Sequence, residues 1–162
     1  VRKRRPSAAR SPRRSRNSHR LALDLQKTAS GSPAPTIAQL RRWARAALSR
    51  SGEITVRVVG TAEARNLNRR YAGSDYATNV LSFPYALSSR RVQGDIVLCA
   101  PVIAREARTQ GKSIEAHFAH LTVHGVLHLQ GHDHAQPRDA VRMESLEKRV
   151  LAKLGYPDPY DR

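Results

Sequence analysis

Six of the seven histidines fall between His117 and His134, a density that core packing alone does not require. His124 and His128 are four residues apart, so on a helix they stand one turn apart on one face and their imidazoles can converge on one ion. Gly131 lets the chain turn back, and His134, three residues further on, can supply a third nitrogen. The written spacing is H-x-x-x-H-x-x-G-x-x-H. Three protein ligands with a fourth position left open mark a catalytic rather than a structural zinc site. One divalent ion per chain, zinc first, is therefore expected on His124, His128 and His134.

The other histidines compete for the same role. His120 lies four residues before His124, and His117 seven before it on nearly the same face, but no turn brings those two a third ligand unless His128 serves. Both are expected to pack or to orient a ligand, His120 through its free ring nitrogen. His132 is expected at the surface. Asp133 either accepts a hydrogen bond from a ligand imidazole or orders the turn, with ordering favoured.

The same spacing occurs in metzincin proteases, where a glutamate after the first histidine acts as general base. Here Gly125 stands in that place. Peptide hydrolysis needs such a base, whereas phosphodiester cleavage leans more on the metal, which acidifies water and stabilises charge on phosphoryl oxygens. Gly125 thus turns the reading from a zinc peptidase toward phosphoester chemistry, with no general base identified.

Charge points the same way. The chain of 162 residues carries 29 Lys and Arg against 13 Asp and Glu, a net charge of +16. Residues 1–20 hold nine of the basic side chains and none of the acidic ones, and the rest keeps an excess of +7. A polyanion, nucleic acid ahead of a membrane surface, is the expected partner. The longest apolar run, Ile96 to Ala104, is interrupted by Pro101 and falls far short of the ~20 residues of a membrane-spanning helix. One cysteine, Cys99, makes no internal disulfide, and no apolar signal segment opens the chain, which suits a reducing cytoplasm. Cys99 reads as a small buried residue, and Trp43 as core or rim.

These side chains need a scaffold. Residues 1–19, rich in Arg, Ser and Pro without apolar periodicity, read as a disordered basic extension. It is either an electrostatic arm for RNA or a misassigned gene start, because a leading Val with Met143 as the only methionine is what literal translation of a GTG start codon gives. Residues 20–162 read as one domain. Alternating Leu21, Leu23 and Leu25 predict a strand, and Thr36 caps a helix carrying Ile37, Leu40, Ala44, Ala47 and Leu48. A strand is predicted over 54–59, a helix over 61–71, strands over 80–83 and 95–99, and a helix opened by Pro101 through Arg108. The histidine helix runs from a Ser113 cap to about Gln130. A last helix carries Val141, Leu146, Val150 and Leu154 and stops at Gly155. Four strands and five helices interleave into one α+β domain with no internal repeat.

His124-Gly125-Val126-Leu127-His128-Leu129-Gln130-Gly131-His132-Asp133-His134 resembles the signature H-G-x-L-H-L-x-G-x-D-H of the YbeY family of metal-dependent endoribonucleases, or rRNA maturation factors. The segments from Thr78 to Pro84, Gly94 to Val97 and Leu154 to Tyr156 are similar to the family's other blocks, in the same order. The likeness spans about residues 21–160. It implies an α+β fold in which a small four-stranded mixed sheet packs with about five helices around a metal-bearing central helix, one zinc or similar ion on three histidines, and hydrolysis of single-stranded RNA. It further implies a role in maturation of the small-subunit rRNA 3′ end and ribosome quality control, with small-subunit ribosomal proteins and an assembly GTPase as partners. The Thr78 to Phe83 block would line the cleft, with Thr78, Asn79 and Ser82 as candidate RNA contacts and Val80, Leu81 and Phe83 as strand residues.

One position departs. Family members commonly carry arginine after the tyrosine of L-N-x-x-Y-R, a position proposed to hold the RNA phosphate, and Leu67-Asn68-Arg69-Arg70-Tyr71 is followed by Ala72. Arg69 or Arg70 is then the candidate substitute, although a residue two or three positions earlier on a helix faces another way. The competing reading is a non-catalytic assembly or RNA-binding factor that keeps its metal for structure.

Overall fold

The alternating leucines form β1 (Leu21–Lys27), followed by α1 (Ile37–Ala47), β2 (Gly52–Val59), α2 (Thr61–Ala72), β3 (Val80–Pro84), β4 (Val92–Cys99), α3 (Ala100–Gln110), α4 (Ile114–Leu129) and α5 (Pro137–Leu154). This computed structural model describes residues 19–85 and 90–161. The reading of a disordered extension over 1–19 thus lies, His19 aside, outside the described residues.

The sheet order is β1-β2-β4-β3. The first two pairings are parallel, and β3 runs antiparallel to β4 along the edge. Period-two alternation gives the sheet two dissimilar faces. Ile54, Val56, Val58, Ile96 and Leu98 pack into the main core with α1, α4 and α5, while Val97 and Cys99 join Ala64 and Val102 in a smaller cluster beneath α2. The fold is the expected mixed sheet with five helices. Thr36 caps α1 in a reciprocal box: its Oγ1 accepts the Gln39 N–H at 3.1 Å and its own N–H donates to Gln39 Oε1 at 2.9 Å.

Two expectations are corrected. β2 and β4 begin earlier than the apolar runs suggest, at Gly52 and Val92, because Glu53 and Gln93 stay in register as a polar pair, with Gln93 Nε2 donating to Glu53 Oε2 at 3.2 Å. Of the two places expected for Trp43, core or rim, the structure has the core, where the ring is wholly buried. On α5, Val141 is 65% exposed, and the buried stripe is Met143, Glu147 and Leu151. The helix turns a carboxylate inward because that carboxylate has partners there.

Two glycines set how closely α4 lies on the sheet. A Cβ at Gly125 would meet Ile96 at 3.1 Å and Ser82 Oγ at 3.2 Å, and one at Gly94 would meet Leu129 and the Phe83 carbonyl, each at 2.6 Å. Bare backbone at both places lets the histidine helix rest directly against β3 and β4.

Candidate metal centre

α4 is apolar on nearly every side, as a helix packed in the middle of a domain must be. Its histidines emerge where it passes β3. His124 and His128 lie one turn apart with their Nε2 atoms 3.0 Å from each other. The helix ends in a Schellman turn: Gly131, at φ +93°, donates to His128 O, and His132 N–H donates to Leu127 O at 3.1 Å. That reversal returns His134, whose ring centroid lies 5.6 Å from that of His124 and 5.1 Å from that of His128. One ligand atom from each of the three rings lies within 4.8 Å of the others. Asp133 orders the turn, accepting the His134 N–H at 2.7 Å, and His132 is half-buried.

Glu147 completes the arrangement and is the residue that sequence reasoning missed. It is fully buried on α5. Its Oε1 lies 2.5 Å from His124 Nδ1 and its Oε2 2.8 Å from His120 Nε2, and the Tyr160 hydroxyl donates to Oε2. Burial alone would raise its pKa, but the hydrogen bonds from His120 and His124 outweigh this and hold the carboxyl down to about 2. The carboxylate therefore keeps the His124 proton on Nδ1 and leaves the Nε2 lone pair facing His128. Burial, then the neighbouring His124 and His134, push His128 down to about 4, so its ring is neutral at physiological pH. These are the protonation states a metal demands. Two nitrogens held ~2.0–2.1 Å from one tetrahedral ion stand ~3.3 Å apart, close to the 3.0 Å found between His124 and His128. The donor set fits a borderline divalent cation. His120, His124 and Glu147 form a second compact group that shares His124.

His117 is buried, and its Nε2 lies 3.1 Å from Glu106 Oε2, which also accepts from Asn79 Nδ2 at 3.0 Å. The histidines open into a cleft of about 560 Å³ whose far wall is β3 and the residues before it; Thr78, Asn79 and Ser82 all line it. The approach to β3 is fastened twice, by Asn68 Nδ2 donating to Tyr76 O at 2.9 Å and by Arg65 bonded through two nitrogens to Asp75 at 2.8 and 3.0 Å. Arg69 and Arg70 do not line the cleft. They extend from the last turn of α2, with Arg70 lying over the Tyr71 ring at 5.4 Å.

The family model described as Endoribonuclease YbeY matches residues 27–155. The chain belongs to this family. An Endoribonuclease YbeY of Aromatoleum aromaticum is 60% identical over 146 residues, covering 88% of this chain and 94% of that protein. One of Methylobacillus flagellatus is 52% identical, covering 87% and 94% respectively. The solution structure of TM1509 from Thermotoga maritima is similar with a TM-score of 0.52 over 86% of this chain and 99% of that one; at 20% identity it shows a shared fold.

Within the family's frame, Gly125 has a packing explanation. A side chain there would drive into Ile96 and Ser82, so the position of a metzincin's glutamate is taken by the sheet itself. Glu147 lies outside the histidine signature, and its only sequence signal is an acidic residue in register with the apolar stripe of an amphipathic helix, four residues after Met143 and four before Leu151.

Proposed function

We propose that the chain is a zinc-dependent endoribonuclease cutting single-stranded RNA, with the 3′ end of small-subunit rRNA as its substrate and ribosome quality control as its setting. The endoribonuclease class follows from the family to which it belongs. The observation that carries the metal reading is the convergence of three imidazoles, one of them tautomer-locked by a buried carboxylate. His124, His128 and His134 would hold the ion, which when bound supplies an acidified water and positive charge toward phosphoryl oxygens. His124 keeps its proton on Nδ1 against Glu147, Asp133 holds the turn that presents His134, and Thr78, Asn79 and Ser82 offer polar contacts to a strand lying in the cleft. Gly125 leaves no base beside the first ligand, which disfavours peptide hydrolysis.

Residues 20–162 form the hydrolase domain in this reading, and the basic extension over 1–19 stands outside it. Small-subunit ribosomal proteins and an assembly GTPase are the proposed partners, and the cytoplasm is the proposed compartment; among the described residues no helix is long and apolar enough to cross a membrane. Ala72, together with a cleft that no arginine among the described residues lines, favours one second reading, an assembly factor that binds RNA without cutting it. The deciding test incubates nuclease-free protein with a single-stranded rRNA fragment. Cleavage that requires a divalent metal and stops on chelation is expected, and none at any metal concentration would leave the assembly factor.

A further inference from the structure

β3 separates two concavities. Residues along a strand alternate between faces, so Ser82 lines the histidine cleft while Phe83, the next residue, lines a groove of about 440 Å³ on the opposite face of the sheet. That volume lies in the ~300–1,000 Å³ range of ligand sites. Three aromatic rings share its wall with polar side chains, Arg57 and Asp95 among them: Tyr71 from α2 and Tyr85 just past β3 are 59% and 64% exposed, and Phe83 meets the Tyr71 ring edge-on at 5.4 Å between centroids. The acidic groups nearby are engaged, Asp95 by the Tyr85 hydroxyl at 2.5 Å and Glu63 by Arg57. Arg70 places its guanidinium over Tyr71.

A single exposed aromatic needs no explanation. Three sharing one concavity, with the Arg70 guanidinium over one of them, on a chain of net charge +16, form the combination by which single strands are held: bases stack on rings while cations meet phosphates. Because β3 is the edge strand, a chain leaving the cleft reaches the groove by passing around the end of the sheet rather than through it.

We propose that this groove is a nucleobase-stacking subsite for single-stranded RNA whose reacting phosphate occupies the histidine cleft across β3. The proposal rests on the reading that this chain acts on RNA. Tyr71 and Tyr85 are the stacking platforms and Arg70, over the Tyr71 ring, is the phosphate contact.

Fluorescence anisotropy of the full chain with labelled uridine dodecamer and tetramer, in chelator so that nothing is cut, tests it. Tyr71→Ala and Tyr85→Ala should each weaken dodecamer binding roughly 10-fold, and Tyr71→Phe, which keeps the ring, should restore it. In the unaltered protein, a dodecamer carrying 5-iodouridine should crosslink to Tyr71 or Tyr85, a readout independent of how the variants fold. Unchanged dodecamer affinity in both alanine variants, or crosslinks confined to the cleft, would overturn the subsite. Metal-dependent cleavage by the unaltered protein is scored separately. Loss of stacking in the variants without any cleavage supports the subsite and removes the nuclease reading, whereas cleavage with unmoved affinities removes the subsite alone.

Discussion

Glu147 on α5 holds His124 on α4 through a contact of 2.5 Å between Oε1 and Nδ1, the two residues being 23 positions apart. Ligand geometry in the cleft thus depends on how the C-terminal helix docks. Partners of this kind typically contribute ~10–100-fold in metal affinity. Glu147→Gln should therefore bind zinc about that much more weakly, as measured by competition with a chromophoric chelator. Affinity equal to that of the unaltered chain would mean that the carboxylate only fills space.

The same carboxylate gives stability a pH signature in metal-free protein. Its folded pKa, about 2, lies below the ordinary value of 4.5, so the unfolded chain binds more protons and the contribution is present above pH 4.5 and lost as pH falls toward 2. Urea midpoints taken across this window should fall more steeply for the unaltered protein than for Glu147→Gln.

Removal of a ligand should be decisive for the metal. His128→Ala leaves two imidazoles, and elemental analysis should find well under one ion per chain, with cleavage lost. Full metal content in this variant would refute the ligand set.

Installing the glutamate that metzincins carry should fail structurally. Gly125→Glu forces a side chain against Ile96 and Ser82, and overpacking of this kind costs ~1–3 kcal/mol. The variant should melt lower and show no peptidase activity; an unchanged melting temperature would mean that α4 is free to lift from the sheet.

Ala72 ends α2 just before Gly73, which adopts φ +73°. If an arginine belongs there, Ala72→Arg should raise the cleavage rate, by up to ~10²–10³ for a well-placed charge stabiliser. If Arg69 or Arg70 already serves, the gain should be absent and Arg69→Ala or Arg70→Ala should abolish cleavage. Rates of all three on one RNA distinguish the cases.

Deleting residues 1–19 should leave the melting temperature nearly unchanged while flattening the salt dependence of RNA binding, since each lost phosphate contact removes ~0.7 from the slope for single strands. A large fall in stability would show that the segment belongs to the folded body.

What the sequence disclosed follows from where the physics is local. The four-residue spacing of His124 and His128, the glycine turn at Gly131 and the caps at Thr36 and Ser113 are set by neighbours in the chain, and each could be read directly. Strand starts at Gly52 and Val92 were missed because polar residues there are held by a cross-strand partner. Glu147 was missed because its place in the apolar stripe of α5 does not by itself name a partner; His120 and His124, which hold it there, lie on another helix. The placement of Arg69 and Arg70 away from the cleft depends on which face of the sheet α2 covers, and no periodicity reports that.

Gly94 acts as a gauge block. With the Leu129 side chain and the Phe83 carbonyl each 2.6 Å from where a Cβ would stand, a single added methyl must displace the β3 backbone and turn aside the α4 side chain facing it, where the two jaws of the histidine cleft meet. Reactive constellations tolerate displacements of only ~0.5 Å. The aperture is therefore calibrated by an atom that is not there, and Gly94→Ala would miscalibrate it without replacing any histidine.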